Sequence, residues 1–367
     1  MASPVNIVYV ANVSSVHTRK WVGHFAGRGH QVDVFSLEQW PAAPHGVRVH
    51  TFVPRRSLNL PAIVLQIRRL CRSARADVLH AHFATGPGLW AALSGIRPFA
   101  LTAWGSDVLL HPGRSRRARY QTRFVLRRAD LLTCDAEHMR AAMARLGADP
   151  TRIRLVNFGV DTQAFSPERR DPGWPEQLGF PAGAPVVVST RSLLPLYDVG
   201  TFVDAAALVA ASVPRARFVI IGEGEERQNL ERRAAQLGLA ERVRFLGSVP
   251  NAELPRLLAS AAVYVSTSLS DGGIASSTAE AMACGLPAVI TDFGNNREWV
   301  GEGVGGFLTP LRDPATVAAR VVTLLDSAET RLRFGRTNRL TIVERNSLAG
   351  EMGKVEDLYR SLIGGSR

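Results

Sequence analysis

The chain has 367 residues, 46% of them hydrophobic and 21% charged, with a formal net charge of +12. That length exceeds one common core, so two domains are expected, and the balance is that of a globular protein. No apolar run reaches the roughly 20 residues that span a bilayer. Cys71, Cys134 and Cys284 lie far apart without metal-ligand spacing, which argues against a disulfide framework and for a reducing cytoplasm.

The N-terminus, MASPVNIVYVANV, has no basic segment ahead of its apolar stretch and reads as a first strand rather than a leader. Further strands are predicted at Val32–Phe35, Val78–His80, Phe99–Ala103, Leu131–Cys134 and Ile153–Val156, with helices between most of them, as at Arg19–Gly27, Leu60–Arg72, Gly88–Leu93 and Ala136–Leu146. Short apolar runs separated by helices are the mark of buried parallel strands. Ser166–Pro185 is rich in Pro and Gly and reads as a linker. The alternation then restarts with Val186–Thr190, Phe218–Ile221, Val243–Leu246, Val263–Ser266 and Ala288–Thr291, and ends in amphipathic helices at Pro314–Leu325, Glu329–Ile342 and Leu348–Ile363. The fold class is therefore α/β, with two Rossmann-like domains, 1–170 and 171–347, facing each other across a cleft. Ligands of such sheets bind beyond the carboxyl ends of the strands.

The charge is unevenly spread. Residues 1–170 hold 24 Lys and Arg against 10 Asp and Glu, while residues 171–367 hold 20 against 22. The densest patch is Arg114–Arg128; on a helix its Tyr120, Phe124 and Leu126 are expected inward and the arginines outward. Such a face suits an anionic membrane surface, a phosphate-bearing acceptor, or plain solvation. Nucleic acid is disfavoured, since no zinc finger, helix-turn-helix or aromatic-studded strand accompanies the charge.

Ser266–Val300 carries the most chemistry. A small-residue loop with Gly272, Gly273, Ile274, Ala275 and Ser276 leads into a helix bearing Glu280, and Cys284-Gly285 ends it before a new strand. Amides at a helix start attract phosphate, and a carboxylate accepts hydrogen bonds from ribose hydroxyls. Arg191, after the strand at 186–190, can fork onto phosphate oxygens. Gly222 opens a third loop, IGEGEE, whose glycines allow close approach to a ligand. Three such loops on one sheet edge point to a nucleotide site. It is neither a Walker loop nor a dinucleotide fingerprint, because GxxxxGK[ST] and GxGxxG are both missing. In the first domain, Ser14, Ser15 and His17, then His82, then Trp104 and Asp107 follow strand ends. Asp107 suits a sugar hydroxyl or a helix cap. His17 and His82 suit structure or catalysis, and Trp104 suits stacking on a sugar or filling space between domains.

The segments HAHFATGPGLWAALSGIRP, TAWGSDVL, RADLLTCDAEHM, NFGVDTQAF, IGEGEERQNLERRAAQLGLAERVRFLGSVPNAELPRLLASAAVYVSTS, EAMACGLPAVITD and GNNREWV resemble, in order, those of the family-4 retaining glycosyltransferases. The resemblance covers nearly the whole chain and implies the glycosyltransferase-B fold, with the last helix, about 348–367, crossing back onto the first domain. It implies a nucleoside-diphosphate sugar as donor, held mainly by the second domain, an acceptor held by the first, retained anomeric configuration, and neither metal nor other cofactor. Position by position, it gives Arg191 to the diphosphate, Glu280 to the ribose, Ile274, Ala275 and Ser276 to the distal phosphate, and Leu246 and Gly247 to the base.

This chain departs from the family in four places. The segment usually like PEKG reads Pro195-Leu196-Tyr197-Asp198, so a lysine is missing, and Arg297 is a candidate substitute. The usual Glu eight residues before Glu280 is Gly272, with Asp271 one residue upstream as its replacement. A position that is often His is Trp104, which shifts weight to Asp107 and His82. A glycine pair in the first loop is replaced by Ser14-Ser15.

The expectation is a hexosyltransferase acting in cell-surface polysaccharide or glycolipid synthesis, cytoplasmic or peripheral at the inner face of an anionic membrane. Arg191, Asp107 and His82 stand nearest the chemistry, and domain closure excludes water. The alternatives are a catalytically silent paralogue scaffolding a polysaccharide assembly complex, a transferase with a soluble natural-product acceptor, and an epimerase or phosphorylase on the same fold.

Overall fold

β-Branched runs too short for helices alternate with helical segments and build two parallel sheets. The computed structural model describes residues 3–53, 60–271 and 273–365. It divides into one unit of Met1–Gly159 with Ala349–Arg367 and a second of Val160–Leu348.

The first unit holds seven strands: β1 (Asn6–Val10), β2 (Gln31–Ser36), β3 (Val47–Thr51), β4 (Val78–His82), β5 (Phe99–Thr102), β6 (Leu131–Cys134) and β7 (Ile153–Leu155), in the order β3-β2-β1-β4-β5-β6-β7. Every pairing is parallel. Every residue of β4, β5 and β6 is buried, as expected where helices cover both faces of a parallel sheet. β3, VRVHT, escapes the sequence reading because it is a half-exposed edge strand that alternates charge with valine. Its Arg48 and His50 both hold the buried Asp33 of β2, at 2.6 and 2.7 Å.

The C-terminal segment of this unit is fastened by a buried polar chain. Tyr359 meets the Tyr9 hydroxyl at 3.0 Å and also His80 Nδ1; His80 Nε2 lies 2.8 Å from Thr102 Oγ1, which meets Thr133 Oγ1 at 2.7 Å. Burial pushes His80 down to about 3, so it stays neutral and serves as a hydrogen-bonding spacer.

The second unit holds β8 (Val186–Ser189), β9 (Arg217–Ile221), β10 (Val243–Gly247), β11 (Val263–Ser266), β12 (Ala288–Thr291) and β13 (Gly306–Thr309), in the order β10-β9-β8-β11-β12-β13, again all parallel. β13 is four residues long and begins with glycine, a weak strand signal. A Cβ on Gly306 would meet Ala288 O at 1.8 Å, so only glycine allows β12 and β13 to pair this closely. The supposed linker at Ser166–Pro185 is part of this unit. Trp174 and Phe180 are 1% and 4% exposed, and the break between units falls at Val160 rather than near 170.

In each sheet the strand order reverses once, at β1/β4 and at β8/β11. There the crossovers leave to opposite sides and open a crevice at the carboxyl edge. The candidate residues collect at these two edges.

Candidate active site

Arg191 follows β8 and is 7% exposed. Its Nη2 donates to Asp271 Oδ1 at 2.6 Å and its Nη1 to Ser277 Oγ at 3.0 Å. Tyr197 covers the guanidinium, 4.3 Å from ring centroid to Cζ. Arg191 Nε and the nearby Thr190 Oγ1 are buried without a hydrogen-bond partner among the described residues. Ser277 also receives the hydroxyl of buried Tyr264, from β11, at 3.0 Å. The helix Ser276–Ala283 follows β11, and no side chain caps its start at Ala275. Ser277 and Glu280 are three apart on it and share one face, and Glu280 is 7% exposed. A desolvated guanidinium therefore sits at a helix start at the switch point, and a buried carboxylate follows one turn along the same helix, an arrangement that can hold a phosphate ester of a polyol.

The neighbouring loops are sewn to it by backbone bonds. Leu193 N donates to Glu223 O at 2.9 Å, Glu226 N to Leu193 O at 3.0 Å, Gly222 N to Gly247 O at 2.9 Å and Leu269 N to Leu196 O at 2.9 Å. Gly222 has φ +149, and a Cβ there would meet Arg191 O at 2.4 Å; at Gly224 it would meet Leu193 O at 2.1 Å. Both glycines are thus required by the approach of one loop to the next. Leu246 and Gly247 end β10, and Gly247, at φ +69, lies against Glu223, which pairs with Arg227 at 2.7 Å. Gly273 and Ile274 are buried in the loop before the helix. Gly272 lies outside the described residues.

Two of the expected residues are paired within the protein. Arg297, the candidate substitute for the missing lysine, is exposed, with its guanidinium forked on Asp292. Its position five residues past Asp292 makes that local pair the nearest one available. Asp271 was expected to face sugar hydroxyls but is bound to Arg191, the nearest cation to a carboxylate only 9% exposed. Burial pushes that carboxyl up, and Arg191 pulls it back. Tyr197 and Ser277 were missed, because neither residue type alone signals phosphate chemistry.

The first unit's edge is aromatic. His17 stacks on Trp104 with ring centroids 4.9 Å apart, and His82 meets the same indole edge-on at 5.4 Å. His82 is 1% exposed, its Nδ1 is 3.0 Å from Thr18 Oγ1, and its Nε2 has no partner among the described residues. Burial holds His82 far below its usual range and His17 near about 4, so neither carries charge at neutral pH. Asp107 accepts from Ala84 N at 2.7 Å and from Trp104 N and Gly105 N, both at 3.1 Å. It clasps the loops after β4 and β5. Ser15 caps the helix Val16–Gly27, and Ser14 bonds Glu38, so the serines shape the loop after β1.

Sequence reading passed over Asp135, which follows β6 on this edge. Burial pushes its carboxyl up to about 6, with Asp107 adding repulsion, and its Oδ1 has no hydrogen-bond partner among the described residues. Between pH about 4 and about 6 the folded chain keeps a proton there that the unfolded chain has released, so stability falls as pH rises through that window. Asp135→Asn is expected to flatten this dependence and to raise the melting temperature at pH 7.5. The gain is at most about 3 kcal/mol for a shift of this size. Thermal melts of both proteins at pH 4.5 and 7.5 check it.

The folds and the second unit's cluster define a two-unit α/β protein with a buried arginine and a helix start at a strand switch point. The family described as glycosyl transferases group 1 matches residues 171–341, and that described as glycosyl transferase 4-like matches residues 6–136. Between them the two glycosyltransferase family models match both units of this chain, and its fold is glycosyltransferase-B. It is 32% identical over 246 residues to D-inositol 3-phosphate glycosyltransferase 2 of Catenulispora acidiphila, a match spanning 64% of this chain and 57% of that protein. It is 24% identical over 327 residues to the UDP-Gal:alpha-D-GlcNAc-diphosphoundecaprenol alpha-1,3-galactosyltransferase of Escherichia coli, covering 85% and 84%. HepE of Anabaena, solved in complex with UDP, superposes with a TM-score of 0.84 at 19% identity over 98% of this chain and 100% of that one. The chain spans little more than half the length of the first of these relatives.

Proposed function

We propose that this protein transfers a hexose, with retained configuration, from a UDP-sugar to a hydroxyl of a cell-surface polysaccharide or glycolipid precursor. One observation carries the reading: the desolvated Arg191 sits against the start of the helix that bears Glu280. The donor diphosphate occupies that place, with Glu280 on the ribose and the Leu246–Gly247 backbone beside the base. The acceptor oxygen bonds to the anomeric carbon as the bond from that carbon to the phosphate oxygen breaks. The acceptor's proton passes to the departing phosphate, and the attack comes from the leaving-group face. Arg191 and the helix amides stabilise the charge on the leaving diphosphate, which accounts for the chemistry without assigning a metal a role. UDP is preferred as carrier because HepE was solved with it and the Escherichia coli relative is named for UDP-Gal.

Mass spectrometry of released UDP across a panel of UDP-sugars tests the reading. Glu280→Gln is expected to weaken UDP binding by about tenfold, on the order of one charged hydrogen bond, in calorimetry. Absence of nucleotide binding by the wild type refutes the reading. Nucleotide binding without turnover on any donor favours the silent paralogue, which the missing lysine motivates.

The acceptor side draws support from the helix Arg116–Arg128. It buries Ala118, Thr122, Val125 and Leu126 and leaves Arg116, Arg117, Arg119, Arg127 and Arg128 outward. Tyr120, expected inward, is 80% exposed, because it sits opposite the buried stripe. With Arg123 and Phe124 it lines a hollow of about 500 Å³. No helix among the described residues is long and apolar enough to cross a membrane. A cationic face with an exposed ring suits anionic headgroups. Neutralising Arg116, Arg117 and Arg119 together is expected to abolish salt-sensitive binding to phosphatidylglycerol vesicles in co-sedimentation. Absence of vesicle binding by the wild type would favour a soluble acceptor, and binding retained by the triple variant would remove this helix from the membrane contact.

A further inference from the structure

The geometry points to Asp271 as an exchangeable counter-ion: it occupies the anion seat on Arg191 in the free protein, must be displaced by the incoming diphosphate, and speeds the departure of nucleoside diphosphate by returning. This inference rests on the proposed donor site.

The surroundings of the guanidinium leave little choice. One flank is taken by Asp271 at 2.6 Å and the other by Ser277 at 3.0 Å, while Tyr197 closes a face. Only the Nε edge is unpartnered among the described residues. Asp271 and Ser277 each take one proton, from Nη2 and Nη1, so a diphosphate that forks onto the guanidinium competes with Asp271 for its Nη2 side. A carboxylate and a diphosphate do not share one guanidinium readily. Both side chains of the pair are over nine-tenths buried, at 8% and 9% exposed, so repulsion between the two anions is weakly screened.

Asp271 is held by its side-chain bonds to Arg191 and Ser268, whereas Ser277 is also fixed by its helix. Ser277 lies in the first turn of a helix and is held by Tyr264. Asp271 lies in the loop between β11 and that helix, outside any regular element. Tyr197 remains in contact with the guanidinium whichever anion is bound, so the cation stays aimed while its partner changes. A buried cation kept neutralised by its own carboxylate needs no solvent to hold it between turnovers.

The test compares wild type, Asp271→Asn and Asp271→Ser by calorimetry with UDP and by stopped-flow dissociation of UDP, with melting curves showing that each variant is folded. Asparagine keeps the size but gives up the charge, and serine vacates the seat. Both variants are expected to bind UDP about tenfold more tightly, mostly through slower dissociation, and to lower kcat where product release limits turnover. In the Arg191→Ala background the same substitutions are expected to give no gain, since no seat remains to contest. Wild-type binding of UDP with unchanged or weaker binding by both folded variants overturns the counter-ion and leaves the donor site standing. Failure of wild type and both variants to bind UDP overturns the donor site and this inference with it.

Discussion

Arg191→Ala is expected to reduce UDP affinity by about a hundredfold or more while leaving a folded protein. Truncating one member of a buried, hydrogen-bonded charge pair at a binding site costs about 2–5 kcal/mol, and the upper half of that range applies where water is excluded. Arg191 is 7% exposed, and its Nη1 donates to Ser277 in the first turn of the Ser276–Ala283 helix. The lysine usual in the segment like PEKG is missing from Pro195-Leu196-Tyr197-Asp198, so that residue cannot take up the loss. Arg191→Lys retains the charge but loses the fork and the stacking on Tyr197, and an intermediate loss of about tenfold is expected. Stability should change less than affinity, because Asp271, pushed up by burial, can take a proton once its partner is gone. Titration calorimetry with UDP, beside melting curves, separates the two. Affinity within threefold of wild type would remove this cluster from donor binding.

The second large effect is expected at Asp107. Its carboxylate accepts from three backbone amides on two loops, and the residue is 2% exposed. Burial pushes its carboxyl up, and those amides pull it back. Asp107→Ala strands three buried donors at about 1–3 kcal/mol each, partly recovered by relaxation, so a loss of roughly 3–5 kcal/mol is expected in urea unfolding. Transfer should fall further than stability alone explains, because Trp104 rides on one of the clasped loops, while UDP affinity should be nearly unchanged. An activity loss that tracked UDP affinity would contradict this division of labour.

Most of the architecture was legible in the amino-acid order. Leu131–Cys134, Val263–Ser266 and Ala288–Thr291 were bounded to the residue, because buried parallel strands are uniformly apolar and their helices begin abruptly. β3 and β13 were not, since an exposed edge strand and a glycine-led strand lack that contrast. Ser166–Pro185 misled in the other direction: its Pro and Gly content signals a turn-rich path, but Trp174 and Phe180 bury into the second unit. At the proposed site, Arg191 and Glu280 could be nominated from their own chemistry. Partners defined only by proximity could not. Nothing in the order of residues says that Tyr197 lies over Arg191, that Asp271 has turned toward it, or that Asp135 sits close enough to Asp107 to feel its charge.

The main-chain stitching between Leu193, Glu223, Gly222, Gly247, Leu196 and Leu269 bears on attempts to redesign donor preference. Each turn is a template for the next, so exchanging one of them for a relative's sequence would misplace the others. Sugar-nucleotide choice in this scaffold should therefore move only when all four segments are transplanted as a cassette, and homologues should be compared cassette against cassette rather than side chain by side chain.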